Sequence, residues 1–135
     1  MNNIENLQNS LCNIISEIKL LKNFVNYIDI VTYIFVIISF LGKLASLNLY
    51  LSSILNLIFF VILIVSFAYK KYVNIVLLLT NNIILYAFEL FSATLKEYVF
   101  FNNEVLSDVI FRDSFFIFIN VIVVVWVLRW LKYNN

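Results

Sequence analysis

Four stretches of the chain are apolar over lengths that suit a membrane-spanning helix. They cover residues 27–44, 48–69, 73–93 and 114–131. The hydrocarbon core of a bilayer takes roughly 17–25 helical residues to cross, so the first stretch is near the lower limit. In lipid each backbone N–H and C=O must be satisfied within its own segment, which favours helices. The sequence therefore predicts an all-α integral membrane protein with four transmembrane helices.

The segment before the first stretch, residues 1–26, has a different periodicity. Apolar residues alternate at spacings of three and four over three heptads, at Ile4, Leu7, Leu11, Ile14, Ile18, Leu21 and Val25. This is the spacing of the a and d positions of a coiled coil. Two interpretations are open. The segment is either a coiled coil through which copies associate, or an amphipathic helix that packs on the protein or lies at the membrane surface.

The same register continues into the first apolar stretch. It places Ile28, Thr32, Phe35, Ser39, Gly42 and Ser46 on one face. Neither Pro nor Gly interrupts the chain before Gly42, so a continuous helix from the N-terminal segment into the first span is compatible with the sequence.

Residues 94–113, between the third and fourth stretches, are amphipathic. Their apolar residues fall on one side of a helical wheel, and these are Leu95, Tyr98, Val99, Leu106, Val109 and Ile110. We therefore predict an interfacial helix, broken near Asn102-Asn103. The predicted organisation is a helical segment over 1–26 followed by a four-helix transmembrane domain over 27–135.

The distribution of basic residues predicts the orientation. With four spans, one side holds six basic residues and the other three; the six are Lys19, Lys22, Lys70, Lys71, Arg129 and Lys132, and the three are Lys43, Lys96 and Arg112. Basic residues concentrate on the cytoplasmic side of membrane proteins. Both termini are therefore predicted to lie on the cytoplasm-like side.

Polar side chains recur within the apolar stretches. On the third stretch they fall within an arc of about 140°, and they are Asn74, Asn81, Asn82, Tyr86, Glu89 and Ser92. The other stretches carry smaller sets, which are Thr32, Ser39 and Ser46 on the first, Asn48, Ser52, Asn56 and Ser66 on the second, and Asn120 on the fourth. Such residues commonly bond neighbouring helices. The alternative is a hydrated path, which would need several copies around an axis.

Two acidic residues, Glu89 and Asp29, lie within the predicted spans. Glu89 lies near the outer end of the third span, where the predicted partners are Lys43, Lys96 or Arg112. The alternative is a role in an ion path or proton relay, since intramembrane acids mark function by default. Asp29 lies at the inner end of the first span, near Lys70, Lys71 or Arg129, and is interpreted as a boundary residue.

Composition excludes most catalytic and cofactor chemistry. Of the 135 residues, 64% are hydrophobic and 13% charged, and the net charge of +1 gives no basis for nucleic-acid binding. Histidine is absent, and there is one cysteine, Cys12, and one glycine. This removes the usual general base, zinc and iron–sulfur ligand sets, and glycine-rich phosphate loops. The sequence predicts no enzyme, no cofactor and no metal.

The remaining function classes are those of non-catalytic membrane proteins. The abundance of Asn, Ile, Lys and Phe, with no proline, indicates an AT-rich genome and hence a bacterial cytoplasmic membrane or an organellar inner membrane. The main prediction is a self-associating membrane protein, a homo-oligomer that forms a pore or ion channel or permeabilises the bilayer. The alternative is an accessory subunit of a larger membrane complex, such as an organellar respiratory assembly. Its partners are then the bilayer and either its own copies or the helices of other membrane proteins.

Overall fold

A computed structural model describes residues 2–44, 49–100 and 103–134, and the side chains of residues 3–42, 53–92 and 107–133. Within these ranges the regular structure is entirely helical. The helices are α1 (Asn2–Glu17), α2 (Lys19–Val25), α3 (Ile28–Leu44), α4 (Leu49–Ala68), α5 (Tyr72–Phe100) and α6 (Asn103–Asn134).

Two of these helices are long and apolar enough to cross a membrane. They are α5, over Tyr72–Ser92, and α6, over Ser107–Tyr133, and they correspond to the third and fourth predicted spans. Helices α2 and α3 qualify only as one span that bends by 81°, and the apolar part of α4, Ser53–Ala68, is shorter. The fold therefore indicates a membrane protein with two candidate spans, or three if the bent pair is one span. The four-span count stays a prediction.

The chain divides into two compact units, Met1–Leu78 and Leu79–Asn135. In the first unit, α4 packs against both α1 and α3. Asp29 at the start of α3 contacts Lys71 just beyond the end of α4, and the rings of Phe35 and Phe59 lie 6.3 Å apart further along. These two contacts show that α3 and α4 run antiparallel.

The buried face of α3 follows the register that the sequence predicts. Five of its six predicted residues are buried, namely Ile28, Thr32, Phe35, Ser39 and Gly42, while Ser46 lies outside the described residues. The Thr32 hydroxyl donates to the Ile28 carbonyl at 2.7 Å, and the Ser39 hydroxyl donates to the Val36 carbonyl at 3.0 Å. These hydroxyls are thus bonded within their own helix, and their small size leaves room for α4 to approach.

The N-terminal segment is not continuous with α3. Ile18 adopts an extended conformation, with φ −88° and ψ 102°, and separates α1 from α2. A second break at Asn26 and Tyr27 precedes the 81° bend into α3. Neither break contains Pro or Gly. The contact of α1 with α4 gives the reason, because tertiary packing routinely overrides local helix preference.

Helix α4 ends in a Schellman motif that the sequence did not predict. Lys71 N–H donates to the Ser66 carbonyl at 2.8 Å and Lys70 N–H donates to the Phe67 carbonyl at 3.2 Å. Lys70 occupies the position where glycine is usual, with φ 57°. The Lys71 carbonyl then accepts from Asn74 and Ile75 N–H and starts α5, so three residues separate the two helices.

The second unit contains α6 and the part of α5 from Leu79 onwards. The rings of Tyr86 and Phe116 stack at 5.3 Å, and Glu89 pairs with Arg112. The predicted interfacial helix over 94–113 is not a separate element. Residues 94–100 extend α5 and residues 103–113 begin α6, because no Pro or Gly stops helix propagation there. Asn102, in the predicted break, lies outside the described residues, as do the side chains that define the predicted amphipathic face before Ser107.

Candidate functional site

The predicted coiled-coil seam of the N-terminal segment is only partly covered by the rest of the chain. Ile4 and Leu11, at a positions, are half-buried, whereas Leu7 and Ile14, at d positions, are 53% and 57% exposed. Ile18 is also exposed, and Leu21 and Val25 are half-buried. The face of α1 that packs inward therefore uses the a and e positions of the heptad, and the d positions remain outside.

Gln8 holds α1 against the end of α4. Its side chain is 0% exposed, and its Nε2 donates to the Phe67 carbonyl at 3.1 Å and to the Tyr72 hydroxyl at 2.9 Å. Its Oε1 is buried and accepts no hydrogen bond. One turn further along, the Cys12 side chain lies near that of Tyr69. Gln8 could not be singled out from its position in the sequence, because an amide at an e position of a coiled coil normally faces water.

Asp29 forms a polar cluster with the start of α5. Its Oδ2 accepts from Lys71 Nζ at 3.1 Å, and its Oδ1 accepts from Asn74 Nδ2 at 2.7 Å. Asn74 is buried, while the other two side chains are about half exposed. Asp29 also lies in the first turn of α3, where the helix dipole favours a negative charge. Lys71 was one of its three predicted partners, and the role of this cluster is to tie α3 to α5.

The predicted polar face of α5 lies on the protected side of that helix. Asn74 and Asn81 are buried, and Asn82, Tyr86, Glu89 and Ser92 are half-buried. The opposite side carries large exposed apolar residues, which are Val73, Ile84, Phe88 and Phe91. In the single chain this polar face therefore forms internal contacts, as helix-bonding side chains do.

Glu89 belongs to a charged cluster with Arg112 and Asp113. Arg112 Nη2 donates to Glu89 Oε1 at 2.8 Å and Arg112 Nε donates to Asp113 Oδ1 at 3.0 Å. Arg112 was one of the predicted partners; the side chains of Lys43 and Lys96 lie outside the described residues. Asp113 is 0% exposed and was missed as a site residue. Its heptad spacing to Asn120 and Val127, both buried, is the pattern from which it could have been found.

The smaller polar sets are divided between buried and exposed positions. On α4, Ser66 is buried but Asn56 is exposed, so the two do not share a face; Asn48 and the side chain of Ser52 lie outside the described residues. On α6, Asn120 Nδ2 donates to the Phe116 carbonyl of its own helix at 2.7 Å. The Asn120 bond lies within one helix and builds no hydrated path on its own.

No cluster of three metal-ligating side chains occurs in the part of the chain that the structure describes. Comparisons with protein-family models, with curated proteins and with solved structures found no match. The structure is thus that of a membrane protein with an amphipathic α1 and two polar clusters, one at the start of α5 and one between α5 and α6.

Proposed function

We propose that the chain is a non-catalytic, polytopic membrane protein that self-associates through the N-terminal segment. In this proposal it crosses a bacterial cytoplasmic or organellar inner membrane four times, with both termini on the cytoplasm-like side. Assembled copies permeabilise the bilayer. A coiled coil between α1 helices of different copies sets the symmetry of the assembly.

The exposed d positions of α1 carry this proposal. Leu7 and Ile14 are seven residues apart, and Ile18 follows at the next seam position. A helix that needed only to pack on its own chain would have no reason to keep this spacing on its exposed side. Burying apolar surface is favourable by about 25 cal/mol per Å², so a second copy with the same stripe is a suitable partner.

The polar composition of α1 favours a protein partner over the lipid surface. Helices that lie on anionic membranes are usually rich in Lys and Arg on the polar face. α1 contains neither, and its polar residues are Asn, Gln, Ser and Glu. An association between copies uses such a surface without needing attraction to headgroups.

Two substitutions at the exposed positions test the self-association. Leu7→Asp and Ile14→Asp place a carboxylate in the seam but outside the packed face of α1. The wild-type protein in mild detergent is expected to sediment as an oligomer, and each variant as a monomer. Asn13→Asp is the matched control, since Asn13 is exposed, adjacent to Ile14 and off the seam. A monomeric wild type, or variants that keep the oligomer, would contradict the proposal.

Permeabilisation is tested on the same proteins in lipid vesicles. In the single chain most of the polar face of α5 is half-buried or buried, so a hydrated path would form only when copies assemble. We expect wild-type protein and Asn13→Asp to release an encapsulated dye, and Leu7→Asp and Ile14→Asp to release several-fold less. Equal dye release by all four proteins would show that permeabilisation does not depend on assembly through α1.

An accessory subunit of a larger membrane complex, for instance an organellar respiratory assembly, is the second candidate. One observation favours it. Asn56 is exposed on α4 between the exposed apolar residues Ile54 and Leu57, and an amide in lipid requires a bonding partner. A foreign helix would supply that partner. Native purification from the source membrane decides between the candidates: a stoichiometric second protein supports the subunit, and recovery of this chain alone excludes it.

A further inference from the structure

We propose that the N-terminal segment has two mutually exclusive states. In the first, α1 folds back on α4 as described above and the chain is single. In the second, α1 leaves α4, Ile18 becomes helical, and residues 4–25 form one straight helix that pairs with other copies. This inference rests on the proposed self-association and adds its regulation.

The two states compete because they use the same residues. A coiled coil buries both its a and its d positions. In the single chain Ile4 and Leu11, at a positions, are already half-covered within the first unit, on the face of α1 that carries Gln8 and Ile15. Only the d positions are therefore available to a second copy while α1 stays packed. A full seam requires that α1 be released.

The break at Ile18 is placed where straightening would restore the heptad. Ile18 is itself an a position, and its extended backbone directs the chain out of the helix between Glu17 and Lys19. The sequence around it contains no Pro or Gly, so nothing in the local covalent structure prevents a helix. With Ile18 helical, Glu17 at g and Lys22 at e take the positions that pair between neighbouring strands of a parallel coiled coil.

The packed state contains a defect that release removes. Gln8 Oε1 is buried without a hydrogen bond, and an unsatisfied buried acceptor is costly. When α1 leaves α4, Gln8 takes an e position at the edge of the coiled coil, where water reaches it. The hydrogen bonds of Gln8 Nε2 and the apolar contacts of α1 therefore stabilise the packed state, and the unbonded Gln8 Oε1 destabilises it.

A covalent cross-link that holds α1 on α4 tests the two-state arrangement. Cys12 is the one cysteine of the chain, and its side chain lies near that of Tyr69. Tyr69→Cys creates a pair that a short bismaleimide can bridge in the space vacated by the ring. The uncross-linked variant, and the variant treated with a monofunctional maleimide, are expected to assemble at least as readily as wild type. The cross-linked protein is expected to remain monomeric and to lose dye release.

The outcomes separate this inference from the proposed function. Assembly of the cross-linked protein to the same extent as its controls overturns the two-state arrangement and leaves self-association intact. Failure of wild type and every control to assemble overturns both. Assembly of the controls alone supports both.

A second variant tests the contact that holds the packed state. Gln8→Ala removes the hydrogen bonds to Phe67 and Tyr72 without touching an a or d position. We expect it to assemble at a concentration roughly five-fold lower than wild type, because the two lost bonds stabilise the packed state by more than the unbonded Oε1 destabilises it. Asn9→Ala, at an exposed neighbouring position, is the control. An unchanged or higher assembly concentration for Gln8→Ala would argue against a competing packed state.

Discussion

Among the described residues other than glycine, Lys70 is the one with a positive φ. With φ 57° it is in the left-handed region at the end of α4, and the two hydrogen bonds of the Schellman motif keep it there. A non-glycine residue pays about 1–2 kcal/mol in this conformation, and glycine does not. Lys70→Gly is therefore expected to raise the free energy of unfolding in a denaturing-detergent titration by about 1 kcal/mol. Lys70→Ala keeps the Cβ atom and should give no gain; an equal gain would assign the effect to the lost charge.

Asp29 and Asn74 form a short side-chain hydrogen bond between α3 and α5, at 2.7 Å. A double-mutant cycle of Asp29→Ala and Asn74→Ala should give a coupling free energy of roughly 1 kcal/mol, the net worth of a partly buried hydrogen bond. The corresponding cycle with Lys71→Ala should give less than about 0.5 kcal/mol, because that ion pair is half exposed. The reverse order would show that the charge pair, and not the amide, ties α3 to α5.

At the scale of the helices, the register of the sequence matches the buried face of α3 at its five described positions and that of α1 only in part. The register that continues from α1 identifies the buried face of α3 because a helix in a bundle has one covered side, and small residues mark it. The same register predicted an a/d face for α1, where the a and e positions are buried. A seam of alternating three and four residues is compatible with either neighbouring face, and only the long-range contact with α4 decides between them. The break at Ile18 follows from that contact and has no local signal.

The contact between α5 and α6 at the charged cluster depends on the pairing of Arg112 with Glu89 and Asp113. Arg112 faces two carboxylates, of which Asp113 is fully buried. Arg112→Met removes the guanidinium and should lower the free energy of unfolding by about 2–4 kcal/mol, since a buried carboxylate is left without its cation. Glu89→Gln should cost within about 1 kcal/mol, because Arg112 keeps Asp113.

Adding Asp113→Asn to Arg112→Met should recover at least half of that loss, because the neutral amide no longer needs a cation. Denaturing-detergent titrations of the single and double variants measure this recovery. If Asp113→Asn brings no recovery, the loss in Arg112→Met comes from the packing of the long side chain and not from the unpaired charge. A similar loss in Glu89→Gln would identify Glu89 as the dominant partner instead.

For the molecule as a whole, the sequence predicted the helical class and the third and fourth spans, but the fold leaves the first two shorter. Periodicity and length are local properties, so α5 and α6 could be placed from them. The partner of Glu89 could be narrowed to three basic residues, one of which is Arg112, because charges in lipid need partners. Gln8 could not be identified as buried, since its burial depends on which helices meet. That information is long-range, and neither composition nor spacing contains it.

The fold is compatible with two, three or four membrane spans, and each number places the two termini and Ser46 differently about the membrane. Four spans place both termini on one side of the membrane and Ser46, between α3 and α4, on the other. Two spans place all three positions on one side. Three spans, with α2 and α3 as one bent span, place Tyr133 opposite Asn3. In a Cys12→Ser background, Asn3→Cys, Ser46→Cys and Tyr133→Cys are labelled with a membrane-impermeant maleimide before and after permeabilisation.

We expect Asn3→Cys and Tyr133→Cys to react only after permeabilisation and Ser46→Cys to react before it. The physical reason is the length of α3: its 17 residues extend about 25 Å, enough to cross the hydrocarbon if the bilayer thins slightly around it. The two basic residues after α4, Lys70 and Lys71, then hold the return of the chain on the cytoplasm-like side. Reaction of Ser46→Cys only after permeabilisation, together with the termini, would place α3 and α4 on one side of the membrane and reduce the crossing helices to α5 and α6.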